Sequence, residues 1–86
     1  MLQKDFTITN KTGLHARPAS VFIKAANTFK CDIHLKKENQ EIDAKSIISL
    51  LTLGAGQGTK ITITTSGEDE EAAMDELMRV LASFDD

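Results

Sequence analysis

The apolar residues of this 86-residue chain change spacing repeatedly, from every second position to every third or fourth and back. This switching constrains the fold more than any other feature, because period two marks a strand with one apolar face and period 3.6 a helix with one apolar stripe. Leu2, Phe6 and Ile8 alternate with Gln3, Asp5 and Thr7, and Lys4 is the misfit on the apolar side. From Ala16 the spacing lengthens to Ala19, Phe22, Ile23 and Ala26, a first helix that ends near Asn27. Alternation returns over 31–36 and 41–44, and the segment between reads as a hairpin turn with Asn39 as the residue suited to positive φ. A second helix spans 45–53, Gly54, Gly56 and Gly58 read as a flexible connection, and 60–64 forms a fourth strand with its threonines outward. Ser66 or Gly67 caps a last helix. Its first turn is loaded by Glu68, Asp69, Glu70 and Glu71, and its buried stripe is Ala73, Leu77, Val80, Leu81 and Phe84.

Elements in the order β-α-β-β-α-β-α, each with one apolar face, predict an α+β fold. The expected form is an open-faced two-layer sandwich, with helices over one side of a four-stranded sheet and water on the other. Gln3, Asp5, Thr7, Asp32, His34, Thr62 and Thr64 all fall on the water side. At this length the expectation is one domain over 1–86, with no room for a substrate domain beside a cofactor domain.

A net charge of −3 and four Phe without Trp or Tyr count against nucleic acid as a partner, since that binding draws on clustered cations and stacking rings. The single Cys31 has no partner for an internal disulfide and shares a face with Ile33 and Leu35, so it reads as a small buried hydrophobe. Nothing at the N-terminus resembles a targeting segment, and no apolar run approaches bilayer length, which points to a cytoplasmic protein without membrane insertion. No two potential ligands stand at metal spacing, so neither a metal nor a cofactor is expected.

The chemistry gathers at Gly13-Leu14-His15-Ala16-Arg17-Pro18-Ala19-Ser20, where a histidine and an arginine stand two residues apart at a helix start. The first N–H groups of a helix have no partner within it and carry partial positive charge, so an anion is held well there. Histidine is both a nucleophile and a leaving group near neutral pH. A lone histidine in such a place is more often a cap or a surface imidazole, but Gly13, Arg17 and Pro18 together favour a phosphoryl group carried on His15.

The chain resembles the HPr family, the histidine phosphocarriers of the bacterial phosphoenolpyruvate-dependent phosphotransferase system. The resemblance rests on Gly13-Leu14-His15-Ala16-Arg17-Pro18-Ala19, on Ala44-Lys45-Ser46-Ile47, and on Leu53-Gly54 followed by Gly58, and it spans essentially the whole chain. It implies an antiparallel sheet of order 1-4-2-3 with three helices on one face. It also implies a relay in which enzyme I phosphorylates His15 and a sugar-specific enzyme IIA accepts the group, the protein itself being no enzyme. In that relay His15 attacks through Nδ1, while the N–H groups of Ala16 and Arg17 and the Arg17 guanidinium hold the phosphoryl oxygens.

The second helix is too apolar for one buried face, and the excess, Ile47, Ile48 and Leu51, suggests an exposed patch. The resemblance makes it the docking surface for monomeric contact with enzyme I and IIA domains, rimmed by Arg17, Ser20, Lys24, Asn27 and Lys45. Many members carry a basic residue where this chain has Ser49, which removes one charge from that rim. Ser46 is explained by capping alone. In Gram-positive members the matching serine is phosphorylated by HPr kinase/phosphorylase, which adds a transcriptional regulator to the implied partners. The alternatives are a nitrogen-branch paralogue, which shares Ile8-Thr9-Asn10-Lys11 and His15-Ala16-Arg17-Pro18-Ala19, a purely regulatory adaptor of the same fold, and an RNA-binding α/β domain using the open sheet. The glycines at 54, 56 and 58 lack the features of a nucleotide loop.

Overall fold

The computed structural model describes residues 1–85, in the order β1 (Leu2–Thr7), α1 (Ala16–Ala26), β2 (Asp32–Lys37), β3 (Gln40–Asp43), α2 (Ile47–Leu53), β4 (Lys60–Ser66) and α3 (Glu70–Ser83). The sheet order is β1-β4-β2-β3, and every neighbouring pair is antiparallel. The expected α+β architecture and strand order are therefore those of the molecule. β1 and β2 run parallel with β4 between them, and β3 and β4 run parallel with β2 between them, so two split β-α-β crossovers interleave.

The alternation in the strands sets the two faces. Ile33 and Leu35 of β2 and Ile61, Ile63 and Thr65 of β4 point into the core, where they meet Ala19, Phe22 and Ala26 of α1 and Ala73, Met74, Leu77, Val80 and Leu81 of α3. The one polar side chain among these, Thr65, donates from Oγ1 to the Glu70 carbonyl at 3.0 Å, so its burial leaves no orphaned hydroxyl. On the other face the register aligns Gln3, Thr64, His34 and Asp43 in one row and Asp5, Thr62, Lys36 and Glu41 in the next. Lys4 is exposed although it lies on the apolar side of β1, because β1 is an edge strand and its long side chain reaches solvent.

Four local expectations change. The hairpin has its positive φ at Glu38 (57°) rather than at Asn39, because Lys37 pairs with Gln40 and leaves a two-residue turn whose first position is left-handed. The N-cap of α3 is Asp69, neither Ser66 nor Gly67, and its carboxylate leaves its own helix to accept the N–H groups of Lys30 (2.8 Å) and Cys31 (2.9 Å). Met74 joins the buried stripe of α3, while Phe84, past the end of the helix, is half-buried. The glycine connection is anchored: Leu14 N–H donates to Ala55 O (2.9 Å), Gly58 N–H to Ile8 O (2.7 Å) and Gln57 Nε2 to Thr9 O (3.0 Å).

Candidate functional site

Two loops meet at the start of α1. Asn10, buried where the chain leaves β1, donates from Nδ2 to Gly13 O at 3.1 Å and closes the turn that precedes His15. Gly13 has φ +63°, and a Cβ placed on it would lie 2.4 Å from Ala55 O and 2.6 Å from Gly56 Cα. Only glycine both adopts that conformation without strain and lets the two loops approach so closely. Leu14 is buried, and the next side chain, His15, is exposed to solvent.

His15 is the N-cap of α1, with extended backbone (φ −129°, ψ 162°) and no hydrogen bond from its side chain to the helix. The imidazole is thus spared the capping task that explains most polar residues at this position. Ala16 follows at φ +50°, a left-handed value that costs a residue with a Cβ about 1–2 kcal/mol, so the chain is strained directly beside the imidazole. Arg17 is exposed, and among the described residues it makes no ion pair. Pro18 is buried in the first turn, where it lacks an N–H that would otherwise need a partner. A cleft of about 380 Å³ opens beside Arg17 between α1 and the end of α3, with Pro18, Val21 and Phe84 in its walls.

The second half of the site is α2. Ser46 caps it, accepting the Ser49 N–H at 3.3 Å, and Gly54 closes it in the left-handed conformation at φ +70°. Leu50 and Leu53 fill the core, while Ile48 is 73% exposed, Leu51 41% and Ile47 39%. The apolar excess read from the sequence is therefore exposed surface. Val21 of α1, at 41%, adds to the exposed apolar area, a residue the helical spacing did not single out.

The rim residues divide. Ser20 and Lys24 are exposed on α1. Asn27 and Lys45 have polar heads already engaged, since Asn27 Nδ2 donates to Ile23 O (2.9 Å) and Lys45 O (3.1 Å), and Lys45 Nζ donates to Phe29 O (2.7 Å). They join the end of α1 to the start of α2, so that among the described residues Arg17 and Lys24 are the cations of the two helices without an ion pair. Sequence reasoning also missed a charge partition: 6–31 and 44–66, which supply α1, α2 and the loops around His15, contain no Asp or Glu. His34 lies on the open sheet face, its Nδ1 3.9 Å from Glu41 Oε2, away from α1. Among the described residues no three His, Cys, Asp or Glu side chains come together as a metal site, and no helix is long and apolar enough to cross a membrane.

The family model described as the PTS HPr component phosphorylation site matches residues 2–83. The chain is 42% identical over 78 residues to the HPr-like protein Crh of Halalkalibacterium halodurans, covering 91% of this chain and 93% of the relative. It is 41% identical over 83 residues to the phosphocarrier protein HPr of Cupriavidus necator, covering 96% and 93%. The crystal structure of HPr from Thermoanaerobacter tengcongensis superposes with a TM-score of 0.95 at 40% identity, covering 96% of this chain and 93% of that one. Crh of Bacillus subtilis, a swapped-domain dimer, superposes at 0.76 with 39% identity, covering 95% and 94%. The chain belongs to the HPr family of phosphocarrier proteins.

Proposed function

We propose that the chain carries a phosphoryl group on His15, received from enzyme I at the expense of phosphoenolpyruvate and passed to a sugar-specific enzyme IIA. The observation that carries this reading is the exposed imidazole of His15 at the N-cap of α1, which makes no capping hydrogen bond, two residues before an exposed Arg17 that has no ion pair among the described residues. His15 Nδ1 attacks phosphorus, the N–P bond forms as the donor's bond to phosphorus breaks, and the reverse exchange delivers the group to the acceptor. Arg17 and the first N–H groups of α1 face the peripheral oxygens, where charge accumulates in the transition state. Exposed Ile47, Ile48 and Leu51 form the apolar centre on which donor and acceptor dock in turn. A patch of this size suits partners that must leave as readily as they arrive. The protein acts as a cytoplasmic monomer and turns nothing over alone.

Incubation with phosphoenolpyruvate and enzyme I is expected to give an acid-labile, alkali-stable phosphate on His15 that is absent from His15→Ala. Labelling that persists in the variant would overturn the assignment. A second reading, a regulator acting through Ser46, has support from the similarity to Crh and from the place of Ser46 at the start of the exposed helix α2. Under that reading ATP and an HPr kinase/phosphorylase phosphorylate Ser46, enzyme I leaves the protein unlabelled, and a transcriptional regulator is the partner. A nitrogen-branch carrier would label on His15 and then deliver to a nitrogen-branch acceptor in preference to a sugar-specific one.

A further inference from the structure

Lys37 ends β2, next to the hairpin turn, where a lysine is ordinarily solvated. Here the side chain is half-buried and crosses to another element, with Nζ 3.2 Å from Leu53 O and 3.2 Å from Gly54 O. Those carbonyls stand at the C-terminal end of α2, which has seven residues and no basic side chain in its last turn. So short a helix is held by its surroundings rather than by its own hydrogen bonds, and its negative end is met by a cation that β2 supplies. The next carbonyl along the chain, that of Ala55, accepts the Leu14 N–H, and Leu14 adjoins His15.

We propose that Lys37 is a positioning residue for the His15 site. Its ammonium pins the end of α2 and the turn that follows, and so holds the exposed patch of Ile47, Ile48 and Leu51 and the His15 loop in one relative placement. Lys37 touches neither His15 nor the patch and acts only through Leu53, Gly54 and Ala55. The kinetic part of the test rests on the phosphocarrier reading, and the structural part stands without it.

The test compares Lys37→Met, which keeps a stem of similar length without the donors, with Lys37→Arg, which restores a cation. Amide hydrogen exchange of the full-length protein is followed at Leu53 and Leu14, with Ile61 and Ile63 of β4 as internal reference. The Met variant is expected to exchange about tenfold faster at the end of α2 and at Leu14, with β4 changing less than about twofold, and the Arg variant to recover most of the difference. In phosphoryl transfer from enzyme I, KM for the protein is expected to rise several-fold in the Met variant with kcat nearly unchanged, as misplaced docking groups require. Unchanged exchange at Leu53 and Leu14, equal acceleration in β4, or no recovery with Arg would overturn the proposal. If the unaltered protein takes no phosphoryl group from enzyme I, the phosphocarrier reading falls, and the exchange comparison still decides the role of Lys37.

Discussion

Gly13 shows how narrowly a single position is specified. A methyl group there meets the Ala55 carbonyl at 2.4 Å, against backbone that has no rotamer with which to yield, and the φ of +63° adds strain. Gly13→Ala is therefore expected to cost about 2 kcal/mol or more in urea denaturation and to slow phosphorylation of His15, because relief requires the His15 loop to move off the 54–58 loop. Cys31 is specified in the opposite sense, toward inertness. Burial, then the carboxylate of Asp69, pushes its thiol up to about 11. The native thiol should react with a disulfide reagent at pH 8 at least about 100-fold more slowly than the thiol in urea, since little thiolate is present. Because the folded pKa is the higher one, the unfolded chain releases this proton first. The contribution to stability is complete below the unfolded thiol's range near 8.5 and is lost as pH rises toward 11.

Among the elements, α3 and β2 are joined by one carboxylate. Asp69 accepts the N–H groups of Lys30 and Cys31, and these bonds, that of Lys30 foremost, hold its carboxyl below the usual range. A depressed carboxyl stabilises the fold above its unfolded pKa of about 3.9, and the contribution disappears as pH falls through the lower folded value. Asp69→Asn should therefore lower stability at pH 7 and flatten its decline below about pH 4, as followed by thermal unfolding across an acid series. Gly67 belongs to the same junction, its Cα standing where a Cβ would come within 2.8 Å of Cys31 Cβ, so the start of α3 and the start of β2 sit in close contact. α2 is the counter-example, an element whose buried residues are only Leu50 and Leu53 and whose ends are held from outside by Lys37 and by the Asn27–Lys45 contacts.

For the whole molecule the decisive property is where charge is absent. The chain is acidic overall, yet its Asp and Glu residues all fall outside 6–31 and 44–66, so the exposed charges on α1 are Arg17 and Lys24 and α2 has none. An acidic partner surface is expected to be drawn to the exposed faces of α1 and α2, with Asp85 in the wall of the Arg17 cleft as a local exception, and repelled by the acidic first turn of α3. The rate of association with enzyme I is expected to fall steeply as salt rises from about 0.01 to 0.15 M, over which the screening length drops from about 30 to 8 Å. In stopped-flow measurements Lys24→Glu should slow association and weaken its salt dependence while leaving the dissociation rate nearly unchanged. A salt-independent rate would mean that the apolar patch alone governs encounter.

Sequence by itself determined the elements, their faces and the place of His15 at the start of a helix. All three follow from the order of side chains along a strand or helix: alternation in β4 places Ile61 and Ile63 inward, and the excess of leucine and isoleucine in α2 announces its exposed patch. Family resemblance supplied the strand order, which local periodicity does not encode. What only the tertiary structure decided are the contacts between segments distant in the chain. Asp69 reads as one more helix-loading acid until Lys30 and Cys31 lie against it, and Asn27 and Lys45 read as free rim groups until α1 and α2 are set end to end. Lys37 reads as a turn residue until the end of α2 comes within reach. In each case a side chain exchanges water for a backbone group from another element, and that choice exists only once the packing of the core has brought the two together.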